Sequence, residues 1–445
     1  MRFRAALAAL IVTLGAAAFA QNASPNASKD APQPESVTIP FALDQGRVVI
    51  DVDLTLQDGS AQRVRAWVDN GNPNLHLNQR IAGLMGISLN CDGQVCSGKP
   101  VAAPEVAIGG MKIRLEGVKD TKISLAAAIG PGMSAEINIP STVLRNYDVL
   151  INYPDRELTV GLPGHIKFNG VKSKMMVSTD GLIHVPGKIE NKNYDLALDL
   201  GSSVNFLAEE LFNKLSTANP DWPHMIGAVG PFNTGERGDE AKWKLMRIDR
   251  VQYGPLFLTD VAVANIPAAT PADTRADASA DTSKDISGDK NKMSAFAERP
   301  SFRSAGAFSS EALLNYRVGL DHAHSTIYFD IARTVKFPDF DVVGLILRPG
   351  GDTGFTIAGV ADFDSKPSVV GVQAGDHLLA VDDTPIAELT LGQVWSLLEG
   401  SPGKTRKLTV AHAGNQFTVV AQVQRFLEEA PASDDAMGKA KKKKK

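Results

Sequence analysis

The chain has 445 residues, room for about two or three domains, with 46 Lys and Arg against 50 Asp and Glu and a formal charge of −4. A near-balanced, slightly acidic chain argues against nucleic acid as a partner. Its two cysteines, Cys91 and Cys96, flank Asp92-Gly93 and read as a small disulfide stapling a hairpin in an oxidising compartment. With no His nearby they do not suggest zinc, and no metal or cofactor is expected.

In chain order, Arg2 and Arg4 precede an apolar run from Ala5 to Ala18, and Ala18-Phe19-Ala20 has the small-x-small form of a cleavage site. The run is short for a membrane span and no second one follows. Residues 1–20 therefore read as a signal peptide of a periplasmic or secreted protein, without stable membrane insertion. Residues 21–36, rich in Asn, Ala, Ser and Pro, read as disordered.

From Val37 the pattern is β. Val48 to Leu54 mixes an apolar run with alternation, Asp58-Gly59 supplies a turn, and Val64 to Val68 runs into Asp69-Asn70-Gly71. Gly109-Gly110 separates two further strands, and Val149-Leu150-Ile151 and Glu157 to Val160 close this stretch. The next stretch repeats the plan. Gly181 to Val185 and Lys188-Ile189 resemble a hairpin. Tyr194 to Leu198 then runs into Asp199-Leu200-Gly201-Ser202, and a helix-like stretch follows from Phe206 to Leu215. The closing segments match without a gap, Leu144 to Val149 against Leu313 to Val318. Acid turns and closing strands recur in the same order, the mark of an internal repeat. The units are 37–163 and 164–335, the second lengthened by a polar insertion at 267–300. A third unit, 341–427, has short strands, the turn Gly371 to Asp376 and a helix from Leu391 to Leu398 with Trp395 on its core face. Residues 428–445 form a basic tail, expected to be disordered.

One Asp from each repeat, on a strand-to-Gly turn, suits a pair of carboxyls sharing a proton: the ionised acid activates water and the other polarises a carbonyl. His322 and His324 read as solvated turn residues. Gly109-Gly110 and Gly227 to Gly238 are candidate flap or surface turns. Ser202-Ser203 lack the turn and the partner His of a serine nucleophile.

The Asp-x-Gly turns, the helix after the second and the closing Asn-Tyr segments resemble the pepsin and retropepsin superfamily of aspartic proteases. Gly371-Val372-Gln373-Ala374-Gly375-Asp376 and the strand after it resemble a bacterial PDZ domain. The resemblance implies a mainly β, two-lobed acid-protease fold with a C-terminal PDZ domain. It implies catalytic Asp69 and Asp199, supported by Asn70, Gly71, Gly201 and Ser202, with the Ser202 hydroxyl hydrogen-bonding a carboxylate. It also implies a Val343-Gly344-Leu345 loop whose N–H groups receive a peptide C-terminus. The substrate is a polypeptide, and a fused repeat leads us to expect a monomer. The chain departs from the family where Asn70 and Leu200 stand for an interlocking Thr or Ser. It departs again where Asn72-Pro73 follows the first Gly, and where Pro140 and Ser309 fall on Gly positions. Two readings follow: an aspartic endopeptidase, or a protease-like protein that binds peptides without cutting.

Overall fold

The computed structural model describes residues 33–428, apart from 57, 93–94, 99–104, 116–120, 131, 236–238, 267–303, 332–339, 351–353 and 364. The signal peptide, residues 21–32 of the Asn- and Pro-rich segment, the polar insertion and all but the first residue of the basic tail lie outside the described residues. Within them the protein is mainly β, and no helix is long and apolar enough to cross a membrane.

Each half of the repeat builds its own sheet. In the first, the strand Ala61–Asp69 pairs antiparallel with Arg47–Thr55 and parallel with Ile137–Pro140, whose register sets Pro140 opposite Asp69. In the second, Lys192–Asp199 pairs antiparallel with Ile183–Ile189 and parallel with Gly306–Ser309, which sets Ser309 opposite Asp199. The acid strand is thus braced on both sides before it turns. Each bracing strand leads into a short helical turn, Ser141–Leu144 in one half and Ser310–Leu313 in the other.

A third sheet joins the halves, in the order Ser36–Pro40, Glu157–Gly161, Asp148–Asn152, Tyr316–Asp321, Thr326–Ile331, Val171–Lys174. At its centre Val149 faces Leu320, Leu150 faces Gly319 and Ile151 faces Val318. In the ungapped match Leu150 corresponds to Gly319, so the repeat meets itself across a local two-fold axis. One apolar cluster runs through all three sheets, from Ile50 and Val68 through Ile151 to Leu198 and Val318.

Two expectations are corrected. Ile183 to Ile189 is one strand, and the hairpin turns later, at Glu190 (φ 48°) and Asn191 (φ 61°). Both left-handed residues fit a two-residue turn that matches strand twist. Gly187 stays inside the strand, where an added β-carbon would run into Leu196. The helix after Asp199 starts later than expected, because Phe206–Ala208 is a strand and the helix spans Glu209–Ala218.

Among the described residues the main sheet of the C-terminal unit runs Leu345–Pro349, Phe355–Val360, His377–Val381, Thr405–His412, Asn415–Gln422, with Thr384–Pro385 paired to His377–Val381 off that path, and the unit carries the helix Leu391–Leu398. The helix starts in a capping box: Thr390 accepts from the Gln393 N–H, and Gln393 accepts from the Thr390 N–H. The core of this unit is continuous with that of the second half. Leu345, Leu378, Leu391 and Trp395 share one apolar cluster with Phe206, Phe232 and Trp243 of the second half. Residues from Pro34 on form one compact unit.

Gly319, opposite Leu150 in the central pair, leaves no room for a side chain, because an added β-carbon there would run into the Phe168 ring. Gly319→Val is expected to lose about 1–3 kcal/mol, read as a lower urea midpoint at an unchanged slope.

Candidate functional site

Asp69 and Asp199 end their strands fully buried. What brings their turns together is Asn70. Its Nδ2 donates to Leu198 O (2.9 Å) and its Oδ1 accepts from the Leu200 N–H (2.7 Å). Those backbone groups flank Asp199, so the residue after one acid is bonded on both sides of the other. The sequence set Asn70 among the departures. A carboxamide carries both a donor and an acceptor, so it interlocks the turns alone. Leu200 offers nothing in return except its backbone.

Each acid turn is also held from behind. The Gly71 N–H donates to Asp69 Oδ1 (3.3 Å), and the Ser202 N–H donates to Asp199 O (3.1 Å), closing the turn around Gly201. The helical turns contribute equivalent hydroxyls: Ser141 Oγ donates to Asn72 O (3.1 Å) and Ser310 Oγ to Leu200 O (3.0 Å). Ser141 and Ser310 correspond in the repeat. The Tyr153 hydroxyl lies 2.9 Å from Ser310 Oγ, and burial pushes its pKa up from 10.

The expected role of Ser202 is corrected. Its Oγ accepts from the Val204 N–H (3.1 Å) and donates to Val204 O (3.3 Å), a local turn that leaves no hydrogen bond from this hydroxyl to the Asp199 carboxylate. The Val343-Gly344-Leu345 loop is likewise turned inward. The Val343 N–H donates to Leu398 O (3.1 Å) and the Leu345 N–H to Val343 O (2.7 Å), while Gly344 packs against Ser368 and Phe426. Two of the N–H groups expected to receive a terminal carboxylate are therefore used within the chain.

A buried network that the sequence did not signal lies beside Asp199. Asn205 Oδ1 accepts from both the Ser309 N–H (2.8 Å) and Ser309 Oγ (2.9 Å), and its Nδ2 donates to Ala262 O (3.2 Å) and to Glu311. Ser309 Oγ also accepts from the Glu311 N–H (3.2 Å), capping the helical turn. Burial pushes the Glu311 carboxyl up to about 7, against the opposing pull of Arg247 and the Asn205 hydrogen bond. Ser309 thus replaces an expected Gly with a side chain that fastens the bracing strand.

A disulfide joins Cys91 and Cys96, which face each other in a hairpin. Gly109-Gly110 turns the hairpin between Glu105–Ile108 and Met111–Arg114. Of the two turn histidines only His322 departs from expectation. His324 is exposed and pairs with Asp321 (2.9 Å), whereas His322 is half-buried and its pKa is pushed down to about 4 by burial, with Arg145 adding to the fall. Among the described residues no three His, Cys, Asp or Glu side chains gather as a metal site requires.

Asn70→Ala strands a buried N–H and a buried C=O, so a loss of about 2–4 kcal/mol is expected. Asn70→Thr, which keeps a donor and an acceptor, should recover part of it in the same denaturation curves. Glu311 yields a pH signature. Its folded pKa of about 7 lies above the ordinary glutamate value of 4.5, so ionisation favours the unfolded chain as pH rises between them. Glu311→Gln should remove that loss, gaining on the native protein by roughly 3 kcal/mol between about pH 4 and pH 8, measured by denaturation at both. Compared with known proteins, the chain matches no family model and no curated protein.

Proposed function

We propose that the chain is an exported aspartic-type endopeptidase of the two-lobed acid-protease fold, followed by a PDZ-like peptide-binding unit. The observation that carries this reading is the Asn70 interlock across Asp199, inside a repeat whose acid strands are braced alike and whose halves meet on a local two-fold axis. In the aspartic-protease chemistry that the resemblance implies, two carboxyls brought close together share one proton. The ionised acid takes a proton from water, and the protonated acid polarises the scissile carbonyl. No covalent intermediate is needed, and the substrate is a polypeptide chain lying between the halves. The Cys91–Cys96 disulfide supports an oxidising compartment, periplasmic or extracellular.

A second reading, a protease-like protein that binds peptides without cutting, is favoured by the same turns. The interlock is one-sided, and both acids are fully covered. Catalysis therefore requires an opening that exposes them.

The mature chain and its Asp69→Asn and Asp199→Asn variants should be incubated with a reduced, alkylated protein substrate across about pH 3 to 7. Cleavage by the native chain that falls by about 10²–10⁴-fold in each variant is expected. Absence of cleavage by all three, at every pH, rejects proteolysis in favour of the second reading.

A further inference from the structure

Among the described residues the strand Leu345–Pro349 is the edge of the C-terminal sheet, with Phe355–Val360 as its one sheet neighbour. It also packs against the helix Leu391–Leu398. A strand edge beside a helix is where an extended peptide can add as a further strand. In this chain the place is filled from within. Asn233 Nδ2 donates to Leu347 O (2.8 Å), and the Leu347 N–H donates to Asn233 Oδ1 (2.7 Å). One carboxamide supplies the donor–acceptor pair that a residue of an added strand would supply.

The residues around Asn233 fit the same place. A β-carbon added to Gly235 would lie 3.1 Å from Pro349 Cδ and 3.4 Å from both Leu347 O and Leu391 Cδ2, so the backbone there runs between strand and helix. A β-carbon on Gly227 would lie 2.9 Å from Ile346 Cδ1. Between them Ala228, Val229 and Phe232 are buried in one apolar cluster with Leu345, Leu347, Leu391 and Val394. The Phe232 ring lies 5.5 Å from that of Phe340. Of the stretch read in the sequence as a flap or surface turn, residues 227–235 form a mostly buried insert, and 236–238 lie outside the described residues.

We propose that this edge is a peptide-binding groove whose resident ligand is the chain's own segment 227–235, and that an outside peptide enters only by displacing it. The inference rests on the peptide-binding half of the proposed function and is independent of proteolysis. The resident is an internal stretch with no terminal carboxylate, which agrees with the Val343 and Leu345 N–H groups being engaged elsewhere. A tethered ligand has an effective concentration on the order of 1 mM. A competitor at about 1 μM therefore needs roughly 10³-fold better intrinsic affinity to take its place. The fitting competitor is an extended peptide that pairs its backbone with Leu347 and sets a small residue between Pro349 and Leu391.

The test compares the full mature chain with Asn233→Ala and Asn233→Asp by amide hydrogen exchange and by binding of a fluorescein-labelled peptide of residues 226–235. Exchange in 345–349 should rise at least about 10-fold in Asn233→Ala. Asn233→Asp, which keeps the acceptor for the Leu347 N–H, should rise less. Exchange in the central strand 316–321 should stay unchanged in both, and the peptide should bind Asn233→Ala at least about 10-fold more tightly than the native chain. Exchange in 345–349 that stays native in both variants, or rises only in step with 316–321, overturns the proposal, as does equal peptide binding by native and Asn233→Ala chains. None of these readouts depends on cleavage, so failure here and failure of proteolysis are told apart.

Discussion

The candidate site depends on one carboxamide. Asn70 is nearly fully buried and bonded on both sides of Asp199, so the two acid turns cannot separate without leaving polar backbone groups unpaired in an apolar interior. Around that link the molecule is built in matched pairs: two antiparallel hairpins, two parallel bracing strands, two helical turns and two serines. The pairs hold the turns in place, and Asn70 sets one against the other.

The repeat was legible because its closing segments match without a gap, and the match placed Pro140 and Ser309 where the strand ladders set them, opposite Asp69 and Asp199. Asn70 was visible but misread, since its partners lie 128 and 130 residues away and a side-chain amide does not announce which backbone it will bond. Asn205 was missed for the same reason. The hairpin read between Gly181 to Val185 and Lys188-Ile189 would turn at Gly187, yet Gly187 serves close packing within a strand. Val343-Gly344-Leu345 spells a carboxylate loop by residue type, but whether its N–H groups are free is decided by Leu398, over fifty residues on.

The C-terminal unit shows how far a recognisable strand pattern can mislead about independence. Its helix Leu391–Leu398 fell where the sequence placed it, and its length suits a separate domain. Its core is nevertheless shared with the second sheet, and the Leu391 N–H donates to Gly132 O (2.8 Å) of the first half. A β-carbon on Gly392 would lie 2.7 Å from Gln45 N, and one on Gly46 would lie 3.5 Å from Ser203 Cβ, beside the Asp199 turn. A continuous line of contacts thus joins the third unit to the second acid turn, through the turn that precedes Arg47–Thr55.

The one-sided interlock also fixes what the halves can be to each other. A protein assembled from two identical halves would need each turn both to offer and to receive the crossing bond. Here the first turn offers through Asn70, and the second receives through the backbone around Asp199, with Leu200 in the offering position. Two copies of the second half would meet with no side chain to cross between them. Two copies of the first would each bring an amide to a turn already carrying one. The halves have become complementary parts that differ in kind, and covalent fusion keeps them in the one-to-one ratio that such a lock demands.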